Sequence, residues 1–425
     1  MASSKGSSVM QQTAKAAKNF YKNPDVWDCS PQERDLIQRR AALRKKLKKG
    51  LVLGVGNPLL DISCHMGPEF LKKYDLKANN AILAEEKHMP MYEEMKAMPE
   101  VEYSAGGATQ NSMRVMQWIM TNKHKQVGTF MGCVGKDDNA RILQEKAEQA
   151  GLRIEYQVYS KQPTGTCAVV VTGEDRSLCA NLGAANHFTI DHIHEPCNKA
   201  IIEKANFAYI SAFFLTASAE SALEIAKQFA ARDDKTFSMN LAAPFLAQVY
   251  TKQLMSVFPY IDILFGNDEE FVTFAKVNNL EIDMKDHEAV AKAVSKMEHV
   301  GKHKRIAVLT QGKNPVIVAC GFLQCRHGNL LKTESPDLEL TVRYNEEDWF
   351  DPVSSDDVKI FPVIPIPKEM IYDTNGCGDA FVGGFLAMYC LGKPIECAVK
   401  CGIYCASEVI QRSGCTYPEK SNWRF

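Results

Sequence analysis

Several common devices are missing from this chain of 425 residues, and each absence removes a class of function. No apolar run approaches the roughly 18 residues that a membrane-spanning helix needs. The opening MASSKGSSVMQQTAK has no apolar core of the kind a secretory signal carries, so an intracellular, cytoplasmic protein is expected. Fourteen cysteines occur without a single C-x-x-C pair, which argues against zinc ribbons and thioredoxin-type redox sites. G-x-x-x-x-G-K-[ST] is absent, as are H-R-D and D-F-G, so neither a P-loop enzyme nor a protein kinase is indicated. LVLGVGNPLL starts like a dinucleotide fingerprint, but Leu59 stands where the third glycine belongs. No internal repeat is visible. If the chain handles phosphate, another device must do it.

The net charge of -1 conceals an uneven distribution. Residues 1–50 hold twelve Lys/Arg against four Asp/Glu, about +8, which leaves about -9 for the remainder. That basic arm reads as a solvated, partly disordered extension, with nuclear targeting or contact with an acidic surface as the second reading. Asp25, Asp28, Glu33 and Asp35 interrupt a mitochondrial presequence. The arm does not make the globular body a nucleic-acid binder. Cys397, Cys401 and Cys405 repeat every four residues on one side of a helix, which reads as a set of small core thiols before it reads as a metal site.

From residue 51 onward β-rich runs alternate with helical patterns. LVLGVG, QVGTFMGCVG, FAYISAFF, TFSMNL, DILFGN and RIAVLTQG are the expected strands. In SAESALEIAKQFAARDD, Ala222, Leu223, Ala226, Phe229 and Ala230 share one helical face. DAFVGGFLAMYCLG and IECAVKCGIYCASEVIQ predict two closing helices. This alternation predicts an α/β fold with a mostly parallel sheet covered on both faces. Residues 61–84 and 163–186 break the rhythm and are expected to pair into a small β-rich lid. Residues 326–368 are acidic, then proline-containing, and read as a surface insertion too long for an ordinary loop.

The chemistry concentrates in DTNGCGDAFVGG, residues 373–384. Val382, Phe385, Leu386 and Tyr389 form an apolar stripe that starts just after Asp379, so a helix is expected to begin near Gly378. A helix N-terminus exposes unpaired N–H groups, and Gly376 and Gly378 leave the backbone around Cys377 free to aim several at one anion. A carboxylate beside an anion nest makes sense if it takes a proton from an attacking hydroxyl. Asp is equally a good N-cap, so the motif alone leaves both readings open. Asn267 and Glu270 form a capping box after DILFG, which puts an acid at another helix start.

DTNGCGDAFVGG resembles the D-T-x-G-A-G-D signature of the ribokinase-like family of sugar and nucleoside kinases. GNPLLDIS (56–63), AGGATQNS (105–112), PTGTCA (163–168), DRSLCANLGAAN (175–186), FFLT (213–216), FGNDEE (265–270), TQG (310–312) and RSGCTYPEK (412–420) are similar, in order, to the blocks of its adenosine-phosphorylating members. The resemblance runs through most of residues 51–423. It implies a three-layer ribokinase-like sandwich with a β-rich lid, and ATP-dependent phosphorylation of the adenosine 5′-hydroxyl with Mg²⁺. By the same resemblance Asp379 is the general base and Gly376, Cys377 and Gly378 supply the anion hole. Asn57, Asp61, Gly106, Gly107 and Asn111 form the ribose site, and Phe214 and Cys167 line the adenine site. Arg176, Asn267, Thr310 and Gly312 serve ATP, with Glu270 facing Mg²⁺ through water. A monomer is implied. A related ribonucleoside or sugar kinase is the second reading, and a non-catalytic nucleoside-binding protein the third. Cys377 replaces the family's alanine, and a thiol at a helix N-terminus is expected to be harmless or, alternatively, to have a lowered pKa and to react with alkylating agents.

Overall fold

Val52–Val55 starts the large sheet as strand β1, enclosed on both faces. The computed structural model describes residues 48–78, 80–120, 126–173, 175–301, 305–320, 353–355 and 358–423. The large sheet contains β5 (Gly128–Val134), β6 (Arg153–Val158), β9 (Phe207–Ser211), β10 (Thr236–Asn240), β11 (Ile263–Asn267) and β12 (Ile306–Gln311). With β1 these run parallel in the order β6-β5-β1-β9-β10-β11-β12. Beyond β12, strands β13 (Asn314–Cys320), β15 (Val358–Phe361) and β14 (Val353–Ser355) are added antiparallel.

Alternation along the strands divides the core into two layers. Leu53, Val55, Ile210, Met239, Leu264 and Leu309 face helices that include Leu215–Ala230 and His287–Lys296. Val52, Tyr209, Phe265 and Val308 face Ala108–Ile119, Cys377–Cys390 and Ile395–Val409. All six expected strands and both closing helices are present. In Leu215–Ala230 the fully buried stripe is Ala222, Ile225, Ala226 and Phe229, while Leu223 sits at the rim. Cys401 and Cys405 are buried free thiols inside the second layer. Among the described residues no helix is long and apolar enough to cross a membrane.

A second sheet stands on the first, in the order β3-β8-β7-β2-β4. It comprises β2 (Leu59–His65), β3 (Ala81–Leu83), β4 (Glu102–Gly106), β7 (Thr166–Thr172) and β8 (Asp175–Asn181). Besides strands from 61–84 and 163–186 it therefore takes in β4, which lies outside both stretches. Ile62, Ala168, Val170 and Cys179 pack under Phe70, Tyr74, Met91 and Tyr92 of two short helices. Asp61, Cys167 and Val169 take the opposite face, because successive strand residues alternate. Two of the links out of this sheet are short: Gly56 to Pro58 between β1 and β2, and Gly107 alone between β4 and the helix Ala108–Ile119.

Residues 1–47 of the basic arm fall outside the described residues, as do 321–352 of the acidic insertion. Where that insertion is described, Val358–Phe361 is not an excursion but an inner strand, paired on both sides. The described chain stops at Cys320, opposite Ile306 at the amino end of β12, and resumes at Val353, which through Ile360 and Ile317 lies level with Leu309 toward that strand's carboxyl end. Of the site residues described below, Phe214, Asn267, Thr310 and Gly312 lie at or just beyond the carboxyl ends of β9, β11 and β12. Long surface insertions cost little to close, so replacing residues 326–350 with a short Gly-Ser linker is expected to leave the KM for ATP within about twofold, measured by steady-state kinetics.

Candidate active site

The helix Cys377–Cys390 is buried nearly all round, since it lies between Ala108–Ile119 and Ile395–Val409. Its start is held by the first aspartate of the motif. Asp373 Oδ1 accepts from the Asn375 N–H at 2.9 Å, and Oδ2 accepts from the Gly414 N–H at 2.7 Å. That carboxylate fastens the loop to the C-terminal tail, a role sequence reading did not assign to it. Gly376 caps the helix at φ 75°, in the left-handed region, and a β-carbon there would stand 2.8 Å from Cys415 Cβ. The space beside Gly378 is open. The Cys377 N–H donates to the Thr374 carbonyl at 3.4 Å, and the first N–H groups of this helix have no intrahelical partner.

Asp379 sits in the first turn and accepts from Asn111 Nδ2 at 3.1 Å. Burial pushes its carboxyl up to about 7, against the lowering effect of that hydrogen bond. Asn111 therefore meets Asp379 rather than a purely sugar-facing space. Cys377 does not have the lowered pKa that a helix N-terminus could confer. Burial, with Asp373 and Asp379 nearby, pushes the thiol up to about 12. The reactive-thiol reading is corrected accordingly.

Asp61 faces this helix start from the lid sheet. Burial raises its carboxyl to about 7; Arg114 opposes the shift, and Asp379 and Asp373 add to it. A β-carbon on Gly106 would lie 2.0 Å from Asp61 Oδ1, and one on Gly107, at φ 89°, 2.2 Å from the Asn57 carbonyl oxygen. Both glycines are thus required by close approach. Asn57 is buried, donates from Nδ2 to the Phe213 carbonyl at 3.2 Å, and keeps a buried Oδ1 without a hydrogen-bond partner. Cys167 pairs directly with Asp61 across β7 and β2, so the two share one face.

Phe214 is placed differently from expectation. Its ring is fully enclosed, edge-on to Phe188 at 5.1 Å, within the apolar core around Leu215 and Phe229. Neither face is open to a base in this structure. Its position at the end of β9 could not reveal whether the ring turns inward.

The capping box is complete: Glu270 N–H donates to Asn267 Oδ1, and Asn267 N–H donates to Glu270 Oε2, at 2.8 and 2.9 Å. Asn267 Nδ2 takes the other carboxylate oxygen at 2.9 Å. Burial raises Glu270 to about 7, and Asp379 is among the charges acting on it. Thr310 is opposite Asn267 on β12 and donates to the Gly266 carbonyl at 3.4 Å. Gly312 turns the chain at φ 57° between β12 and β13. Arg176 pairs with Val171 beside the β7–β8 turn, at the far end of the hairpin that carries Cys167.

The molecule thus brings Asn57, Asp61, Gly106, Asn111 and Asp379 together at this helix start, with Glu270 near enough to share the field of Asp379. An acid poised over a helix N-terminus at the carboxyl edge of a parallel sheet, under a β lid, defines a phosphotransferase acting on an alcohol. The residue pattern of the pfkB family of carbohydrate kinases matches residues 69–330 and 352–422, and the chain belongs to that family. It is 45% identical over 375 residues to adenosine kinase 2 of Arabidopsis thaliana, covering 88% of this chain and 97% of that protein. Adenosine kinase of Dictyostelium discoideum is 40% identical over 86% of this chain and 96% of its own length. The crystal structure of Anopheles gambiae adenosine kinase in complex with P1,P4-di(adenosine-5) tetraphosphate superposes with a TM-score of 0.74 at 44% identity, covering 87% of this chain and 99% of that one.

Proposed function

We propose that the chain transfers the γ-phosphoryl group of ATP to the 5′-hydroxyl of adenosine, yielding AMP and ADP. The observation that carries this reading is the approach of two enclosed carboxylates, Asp61 on a lid strand and Asp379 in the first turn of the helix Cys377–Cys390. Asp61 can accept from both hydroxyls of a ribose cis-diol, with Asn57 Oδ1 left to accept and Gly106 giving close approach. Asp379, held by Asn111, takes the proton of the 5′-hydroxyl as it attacks phosphorus. The N–H groups from Gly376 to Gly378 stabilise charge developing on the transferred phosphoryl. Because Phe214 is enclosed, the apolar wall for adenine falls to the lid face formed by Leu59, Cys167, Leu178 and Ala180.

Magnesium fits this site as a partner of the ATP phosphates rather than of a protein cage. Both Glu270 carboxylate oxygens are engaged by Asn267, and no cluster of three acidic, His or Cys ligands occurs among the described residues. Glu270 would meet the ion through water, and bound Mg²⁺ would neutralise phosphate charge. Thr310, Gly312 and Arg176 are assigned to the nucleotide side, and closure of the lid would exclude water from the transfer. The described cysteines are all free, which fits the reducing cytoplasm.

The test is ADP release from Mg-ATP with adenosine, guanosine, inosine, ribose and fructose. Turnover with adenosine alone supports the assignment; turnover with a sugar keeps the phosphotransferase and overturns the nucleoside site. Gly106→Ala is expected to raise the KM for adenosine at least tenfold, because the methyl group occupies the place of the Asp61 carboxylate. An unchanged KM would remove Asp61 from the ribose site.

A further inference from the structure

Arg114 has no part in the chemistry above, yet it touches three of the elements that frame the cleft. It lies one turn after Asn111 on the helix Ala108–Ile119. Nη1 donates to the Ala105 carbonyl of β4 at 2.6 Å and to Asn111 Oδ1 at 3.2 Å. Its guanidinium stands 5.7 Å from the centroid of the Tyr417 ring in the C-terminal tail, and the Tyr417 hydroxyl donates to the Arg114 carbonyl at 3.3 Å.

The contact with Asn111 decides an orientation. An amide has one accepting and one donating end, whereas a guanidinium can only donate. Asn111 must therefore turn its oxygen to Arg114, which leaves its NH₂ for Asp379. Flipped, the amide oxygen would face a carboxylate. We propose that Arg114 is a positioning residue for phosphoryl transfer: it fixes the amide of Asn111 that holds Asp379 and places a cation beside Asp61. This rests on the roles given to Asp61 and Asp379 above.

The remaining groups around the two aspartates cannot replace it. Asp379 acts on Asp61, Glu270, Tyr209, Cys377 and Cys415, all acids or neutral groups. Asp61 has Asp373 and Cys167 as further neighbours, and Arg114 is the group that lowers its pKa. Without the guanidinium, both carboxylates lose support for their ionised forms.

The experiment is a pH titration of the apo protein labelled with ¹³C at the aspartate carboxyl carbon, the two signals assigned with Asp61→Asn and Asp379→Asn. In Arg114→Met both midpoints are expected to rise by about one pH unit; in Arg114→Lys they should return most of the way. Asn111→Leu, which leaves the guanidinium in place, should raise the Asp379 midpoint alone. Steady-state kinetics with adenosine should show the acid limb of kcat moving to higher pH in Arg114→Met. Unmoved midpoints in Arg114→Met or, should that variant not fold, in Asn111→Leu for Asp379, overturn the proposal. Because the titration needs no acceptor, a protein inactive toward adenosine would sink the nucleoside reading while the midpoints still decide the role of Arg114.

Discussion

Asp379→Asn should lower kcat for adenosine about 10³-fold at pH 8 and, at the same pH, raise the melting temperature by a few degrees. Removal of a positioned general base ordinarily forfeits about 10²- to 10⁴-fold. Asn cannot take the proton, although it keeps the size and polarity needed to stay beside Asn111. The gain in stability follows from the same burial that tunes the base. Asp379 titrates at about 7 in the folded chain against 3.8 for the unfolded group. Between these values the folded state binds the extra proton, so stability falls as pH rises, at about 1.4 kcal/mol per unit. The benefit of the raised pKa is fully present below about 3.8 and is lost once pH passes 7. Above that, an ionised carboxylate remains enclosed at a cost on the order of 4 kcal/mol, which Asn does not incur. Melting temperatures of the two proteins should therefore diverge at pH 8 and converge at pH 5. A pH-independent difference would deny that burial sets the pKa; substantial residual turnover would give the proton to another group. Asp61 and Glu270 are raised to about 7 as well, so the acid limb of the wild-type rate reports the set of three and not one residue.

Different parts of this molecule were legible to different degrees, for physical reasons. The large sheet could be read because β1, β9, β11 and β12 are continuous apolar runs between turn signals, as strands covered on both faces must be. Asn267 and Glu270 could be read because a capping box is a local interaction across three residues. Strand β4 could not: it is five residues long, begins exposed at Glu102, and gains its place only by pairing with β2 forty residues earlier. Phe214 misled because periodicity marks a residue as buried without saying whether its ring faces core or ligand. Arg114 escaped notice for a related reason. Its spacing from Asn111 is visible, but its meaning depends on Asp61 and Tyr417, which no local pattern brings near. Cys377 shows the same limit for charge. A helix N-terminus argues for a thiolate, yet enclosure and two neighbouring aspartates outweigh half a charge.

Arg305→Met should be the most damaging single change away from the cleft. Arg305 precedes β12 at the amino edge of the sheet and is fully enclosed. Its guanidinium donates to five carbonyls: Ile261 from Nε, Val294 and Met297 from Nη1, Phe258 and Glu298 from Nη2, at 2.8 to 3.3 Å. Three of these acceptors lie at the C-terminal end of the helix His287–Lys296, and two around the turn Phe258–Tyr260. Helix C-termini leave carbonyls unpaired and carry partial negative charge, so one cation ends two elements together. The guanidinium also stacks 3.8 Å from the Phe258 ring centroid. Burial brings its pKa down to about 9, with Asp262 opposing, and it stays charged at neutral pH. Methionine fills much of the volume but withdraws the donors of Ile261, Met297 and Glu298, while the Phe258 and Val294 carbonyls still accept from the Ile261 and Met297 N–H groups. At about 1 kcal/mol or more for each of these three, together with the lost stacking on Phe258, the loss should be about 3 kcal/mol or more. Lysine can satisfy at most three acceptors from a single point and should lose roughly half as much. Urea unfolding of the three proteins measures these differences, and kcat per folded molecule should stay near wild type, because the cleft lies at the other edge of the sheet. A loss below about 1 kcal/mol in Arg305→Met would mean that water or backbone shifts satisfy the carbonyls without the guanidinium.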